Sequence, residues 1–167
     1  MNRIGSHPGA ITFRLSVMVI IFLILLLVFL SYLEGTQKSI EQSSIQQTRR
    51  IIDSSLAVVF ASYAVKGQLN ELNQVAGGNP FFYLSSYNLL PANYVGARDE
   101  DVLPETASGW YYLNHRKLVV YKAEYLDTDS YFEIVLDYQD NNQSGQFESQ
   151  FDDFKSLRFS KFTETRS

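Results

Sequence analysis

The sequence predicts an α+β protein. A single N-terminal transmembrane helix continues into a long amphipathic helix, which packs on a small antiparallel sheet of about four strands. Three observations predict it. An uncharged apolar run fills residues 15–33. Apolar residues then recur at three- and four-residue spacings to about Val75, with no proline between Ile11 and Asn79. Beyond Gly109, segments rich in β-branched and aromatic residues alternate with turn residues.

The run "LSVMVIIFLILLLVFLSYL" has 19 residues and holds no charge, glycine or proline. At a rise of ~1.5 Å per residue it spans about 28 Å, close to the ~30 Å hydrocarbon core of a bilayer. A cleaved secretory signal is the main rival. Its apolar core is usually shorter and is followed by a small-x-small site, whereas "EGTQKS" follows here. Arg3 and Arg14 precede the run without any acid, and Glu34 follows it. The positive-inside bias therefore expects residues 1–14 in the cytoplasm and the chain from Glu34 onward outside. Setting aside Arg3 and Arg14 leaves 12 basic against 18 acidic residues, about −6 for the exported part. Such a domain suits neither nucleic acid nor an anionic membrane surface, so proteins are the expected partners.

Residues 34–76 read as an exported amphipathic helix, with Gly35 and Gly67 as places for a kink. Its best-defined face is Ile52, Leu56, Val59, Phe60 and Tyr63, expected to pack on the sheet. Gly77 should cap the helix and Pro80 should forbid its continuation. Residues 77–108 then read as a loop wrap, in which Phe81, Phe82, Tyr83, Leu84 and Leu89 close the helix–sheet core. The β region, residues 109–162, comprises "GWYYLN", "KLVVYKAEY", "SYFEIVLDY" and a half-exposed "FKSLRFSKF". "NHR", "LDTD" and "QDNNQSGQ" are its turns. Residues 163–167 read as a frayed tail.

The residues give little sign of catalysis. The chain has no cysteine, which removes thiolate chemistry and disulfides. The exported part has one histidine, His115, in a predicted turn beside Arg116 and Lys117. The acids Asp99, Glu100, Asp101, Glu105, Asp137, Asp140, Asp152 and Asp153 fall in turns and at element ends, although clustered acids could serve an anchored hydrolase. "DNNQSG" places Asp140, Asn142 and Ser144 as the first half of a calcium loop, but position twelve is Phe151 rather than an acid. No cofactor is expected. A second reading is an anchored ligand-binding or sensory module whose aromatic loop takes a small molecule.

"NPFFYL", "PANYVG" and "SGWYYLNHRKLVVY", within residues 79–121, resemble the signature of pilin-like accessory proteins from mannose-sensitive haemagglutinin (MSHA) pilus loci, the MshF-like family. The phrase runs through Gly109, Trp110, Tyr111, Tyr112, Leu113 and Asn114, then Leu118, Val119, Val120 and Tyr121. The resemblance implies a pilin-like fold, a bacterial inner-membrane location with a periplasmic domain, and other pilus-assembly or pilin-like proteins as partners, with homo- or hetero-oligomers through the helix. It also implies structural or interaction roles for Pro80, Phe81, Phe82 and the aromatic phrase. One departure matters. Pilins carry a glutamate at the fifth residue after a cleavage-site glycine, and counting from Gly9 that position is Arg14. The expectation is therefore an uncleaved protein that assists assembly; a minor pilin in the fibre is the alternative.

Overall fold

A computed structural model describes residues 8–105 and 107–163; side chains are described from Phe13 onward. Residues 164–167 of the expected tail and residues 1–7 of the expected cytoplasmic segment lie outside the described residues. The chain divides into two compact units, Met1–Ile40 and Glu41–Ser167.

Helix α1, Pro8–Lys66, contains the apolar run, and every side chain of residues 15–33 is exposed. The helix is long and apolar enough to cross a membrane. It passes Gly35 unbroken. It ends nine residues before Val75, because Gly67 takes φ 70°. Gly67 N–H donates to Ala64 O at 3.1 Å and Gln68 N–H to Tyr63 O at 2.9 Å, the paired bonds of a Schellman cap. The expected single helix to residue 76 is thus three pieces: α1, a 3-10 turn Leu69–Glu71, and α2, Leu72–Val75.

Just past α2, whose C-cap is Ala76, Gly77 takes the left-handed φ of 67° that the sequence predicts, in a turn closed by Gly78 N–H to Val75 O at 2.9 Å. The Gly77 N–H donates to Ile134 O at 3.0 Å, and its carbonyl accepts from the Tyr112 hydroxyl at 2.8 Å. Residues 77–108 are more than a loop. Pro80 opens a helix, α3, Pro80–Ser86, rather than merely ending one. Proline suits the first helical turn, where its missing N–H is not needed, and the Asn79 side chain caps by accepting from Phe81 N–H at 3.0 Å. Asn88, at φ 58°, ends α3 with a second Schellman pair, Leu89 N–H to Leu84 O and Asn88 N–H to Ser85 O.

The sheet has five strands in the order β1-β2-β3-β4-β5: Tyr94–Arg98, Gly109–Leu113, Leu118–Lys122, Ser130–Gln139 and Asp153–Lys161. The last four are the expected antiparallel meander. The unexpected one is β1, which pairs parallel to β2 and makes the sheet mixed. A parallel neighbour needs a crossover. Residues 99–105 and 107–108 belong to it and lie on the second face, where the Tyr111 hydroxyl donates to Ala107 O at 3.0 Å and Lys122 Nζ to Pro104 O. Covered on both faces, β2 is buried at all five positions.

The core lies between the sheet's other face and α1. Ile45, Ile52, Leu56 and Val59 meet Trp110, Tyr112, Val119, Tyr121, Phe132, Ile134 and Phe159. Trp110 is central, with ring centroids of Tyr121 at 4.9 Å, Phe132 at 5.6 Å and Phe81 at 6.0 Å. Phe60 and Tyr63 are half-buried, and Phe60 stacks on Phe154 at 4.1 Å.

Candidate functional site

The most elaborate polar site in the domain is built on Glu41, which the sequence reading passed over. Glu41 begins a buried stripe on α1 that continues through Ile45, Thr48, Ile52, Ser55 and Val59 at alternating spacings of four and three. An acid in phase with such a stripe was the available signal. Its Oε1 accepts from the Tyr121 hydroxyl at 3.0 Å and from Glu124 N–H at 2.7 Å. Its Oε2 accepts from Tyr125 N–H at 2.9 Å and Leu126 N–H at 2.8 Å. Three successive backbone N–H groups of the β3–β4 connection thus converge on one carboxylate, as in an anion-binding nest. Burial opposes ionisation of Glu41, but the four donors outweigh it and hold the carboxyl below its ordinary range. Tyr121 is pushed in the opposite direction, upward, by burial and then by the Glu41 carboxylate. With both oxygens engaged, Glu41 fastens α1 to the sheet and has little capacity left for proton transfer.

The residues singled out from sequence separate clearly. Ile52, Leu56 and Val59 are buried on the expected face. Pro80 and Phe81 are buried, with Phe81 against Tyr94 at 4.2 Å. Phe82 is the correction: it is 69% exposed, because on a short helix adjacent residues point about 100° apart and it is Pro80, Phe81 and Leu84 that face inward. Tyr83 is half-buried and Leu89 exposed, so the expected closure of the core rests on Phe81 and Leu84. Gly109, at φ 129°, lets β2 start against β1; a Cβ there would stand 2.2 Å from Asn93 O. Trp110 and Tyr121 join the helix-facing core, and Tyr111 faces the crossover.

In the β4–β5 connection, Asp140 accepts from Ser144 N–H at 3.1 Å and Gly145 N–H at 2.8 Å, and Asn142 Oδ1 also accepts from Ser144 N–H at 3.1 Å. These bonds shape the turn that carries Asp140, Asn142 and Ser144. Asp152 is buried and accepts from Asn141 and Glu148 N–H. Among the described residues, no group of three or more His, Cys, Asp or Glu side chains could hold a metal ion. His115 lies exposed in the β2–β3 turn.

A groove of about 430 Å³ runs along α1, lined by Gln47, Arg50, Ile51, Ser54, Ser55, Val58, Tyr87 and Leu89. A second hollow continues it past Thr48 toward Pro91 and Asn93.

No protein-family model, curated protein or solved structure matches the chain. Fold and site therefore define a class: an α+β domain whose first helix also contains a stretch long and apolar enough to cross a membrane.

Proposed function

We propose that the protein is a non-catalytic, single-pass component of a bacterial inner membrane. Its N-terminus is cytoplasmic, and its pilin-like domain assists assembly of an MSHA-like type IV pilus in the periplasm. The observation that carries this reading is that one helix, α1, supplies both the exposed apolar run of residues 15–33 and the stripe Ile45–Thr48–Ile52–Val59 on which the sheet is built. The aromatic phrase from Gly109 to Tyr121 supports it, since those residues form the β2–β3 hairpin at the centre of the core. The partners are other pilus-assembly or pilin-like proteins.

The test is a deletion strain combined with fractionation and N-terminal sequencing of the native chain. The expected outcome is loss of surface pili on deletion, with the chain confined to the inner membrane. Normal piliation after deletion would overturn the assembly role. A chain starting at Ala10 in sheared fibres would make it a minor pilin instead.

A further inference from the structure

We infer that the domain binds a phosphate group in a hollow of about 290 Å³ bordered by α1, the β3–β4 connection and the end of β5. The hollow is separate from the groove beside Tyr87 and Leu89. Two cations line it, Arg49 from α1 and Lys161 from the last position of β5. Phe132 brings them together. The Arg49 guanidinium lies over the Phe132 ring, 5.2 Å from its centroid, and Phe132 is the cross-strand partner of Lys161. Residues directly opposite in an antiparallel pair share a face, so Lys161, like Phe132, belongs to the side of the sheet that α1 covers.

Two observations make the ligand an anion. The first is charge. Like charges held beside one another repel, and an anion between them removes that cost. Among the described residues neither Arg49 nor Lys161 makes an ion pair, although acids outnumber bases 18 to 14 in the chain. Arg98 and Arg158 have each found a carboxylate. Asp127, the acid on the wall of the hollow, has a partner of its own. The second observation is an orphaned donor. Arg49 Nε is shielded from solvent and has no hydrogen-bond partner. Shielded donors in native proteins are nearly always paired, and a guanidinium pairs most strongly with an oxyanion.

The remaining polar groups favour phosphate among oxyanions. They are the hydroxyls of Thr128 and Ser130 and the side-chain amides of Gln42 and Gln46, which lie about one turn apart on α1. Donors thus come from the helix, the connection and both strands, and they surround the hollow. A carboxylate presents two oxygens in one plane, whereas phosphate presents its oxygens tetrahedrally. Arg, Lys, Ser, Thr and Gln are also the side chains that commonly contact phosphate oxygens. The connection is fixed in advance, because Glu41 accepts from Leu126 N–H at 2.8 Å and Asp129 accepts from Ala123 N–H at 2.9 Å. A site set before the ligand arrives loses less freedom on binding. A free phosphate and the headgroup of a membrane phospholipid share this chemistry. The inference does not rest on the pilus role.

The test titrates the full-length protein, in a non-ionic detergent, with inorganic phosphate against sodium chloride of matched ionic strength. Phosphate should raise the melting temperature, because a ligand that binds only the folded state stabilises it. Phosphate also stabilises proteins by its exclusion from their surface, an effect that variants of the site keep, so the reading is the difference between wild type and variant. Arg49→Gln and Lys161→Gln should each weaken binding about tenfold, the loss expected for a hydrogen bond to a charged group. Lys155→Gln, at an exposed position of β5 outside the hollow, should leave binding unchanged. In a parallel titration short-chain phosphatidylglycerol replaces inorganic phosphate. A rise with the lipid alone, lost in Lys161→Gln, would also support the site and name a headgroup as the source. A rise with neither probe, or one that Lys161→Gln keeps in full, would overturn the inference. Arg49 packs on Phe132, so if Arg49→Gln fails to fold, Lys161→Gln, an exposed position, decides alone. Detergent micelles contain no pilus machinery, so the outcome is independent of the assembly role.

Discussion

At the scale of single residues, Glu41 and Gly109 carry the strongest constraints. Glu41→Ala removes the acceptor of four donors and should cost about 3 kcal/mol, because buried polar groups lose their partners. Urea denaturation of the two proteins reads the difference. The pH dependence has a definite sign. The folded-state pKa of Glu41 lies below its ordinary value of 4.5, so the unfolded chain binds the proton more readily. The contribution is complete above that value and is lost as pH falls through the lower folded-state value. Glu41→Gln should therefore flatten the acid limb of a melting-temperature profile. Tyr121 works at the other end. Its raised pKa makes its contribution complete below about pH 10 and lost above it, so Tyr121→Phe should flatten the alkaline limb. At Gly109 the neighbour is backbone, Asn93 O, which cannot swing aside. Gly109→Ala should cost about 3 kcal/mol or more, the range of the severe backbone substitutions. Recovery of a soluble variant with an unchanged melt would contradict this.

At the scale of elements, α3 offers the sharpest contrast. Phe81 is 1% exposed, whereas its neighbour Phe82 is mostly exposed. Phe81→Ala should lose about 3–5 kcal/mol, as truncation of a buried phenylalanine does, while Phe82→Ala should stay within about 0.5 kcal/mol. Equal losses at both sites would mean that the face of α3 is misassigned. Gly67 sets the length of α1. Alanine there must enter the left-handed region, at a cost of about 1–2 kcal/mol, unless α1 grows past Lys66. Circular dichroism alongside the melt separates those two responses. The β4–β5 connection is held by side chains in place of a ladder. Asn73 exchanges a reciprocal pair of bonds with Phe147, and the Asn70 side chain accepts from Ser149 N–H.

At the scale of the whole molecule, the core belongs entirely to the unit Glu41–Ser167. A fragment starting at Gly35 should therefore be soluble and melt cooperatively without the apolar run. One starting at Ile45 should melt lower by about the cost of removing the Glu41 carboxylate, ~3 kcal/mol. Failure of the longer fragment to fold would mean that the first unit contributes to the domain's stability.

Much of the architecture was legible because it rests on local regularities. The uncharged run of residues 15–33, the stripe Ile52–Leu56–Val59, the left-handed turn at Gly77 and the four antiparallel strands all follow from periodicity and turn chemistry, which neighbours in sequence determine. What the sequence concealed depends on distant partners. β1 has the composition of a loop and becomes a strand only because β2 offers it a parallel edge. Phe81 and Phe82 are identical as residues, and burial tells them apart only once α3 lies against Tyr94 and Trp110. Glu41 looks like an ordinary charge on an exported helix until Tyr121 and the β3–β4 turn, more than eighty positions away at their furthest, bring four donors to it. Local pattern determined that this chain has an apolar helix, an amphipathic continuation and a sheet. Tertiary structure decided which acid is buried, which ring is core and which stripe of α1 is covered, because each is settled by what another segment places opposite it.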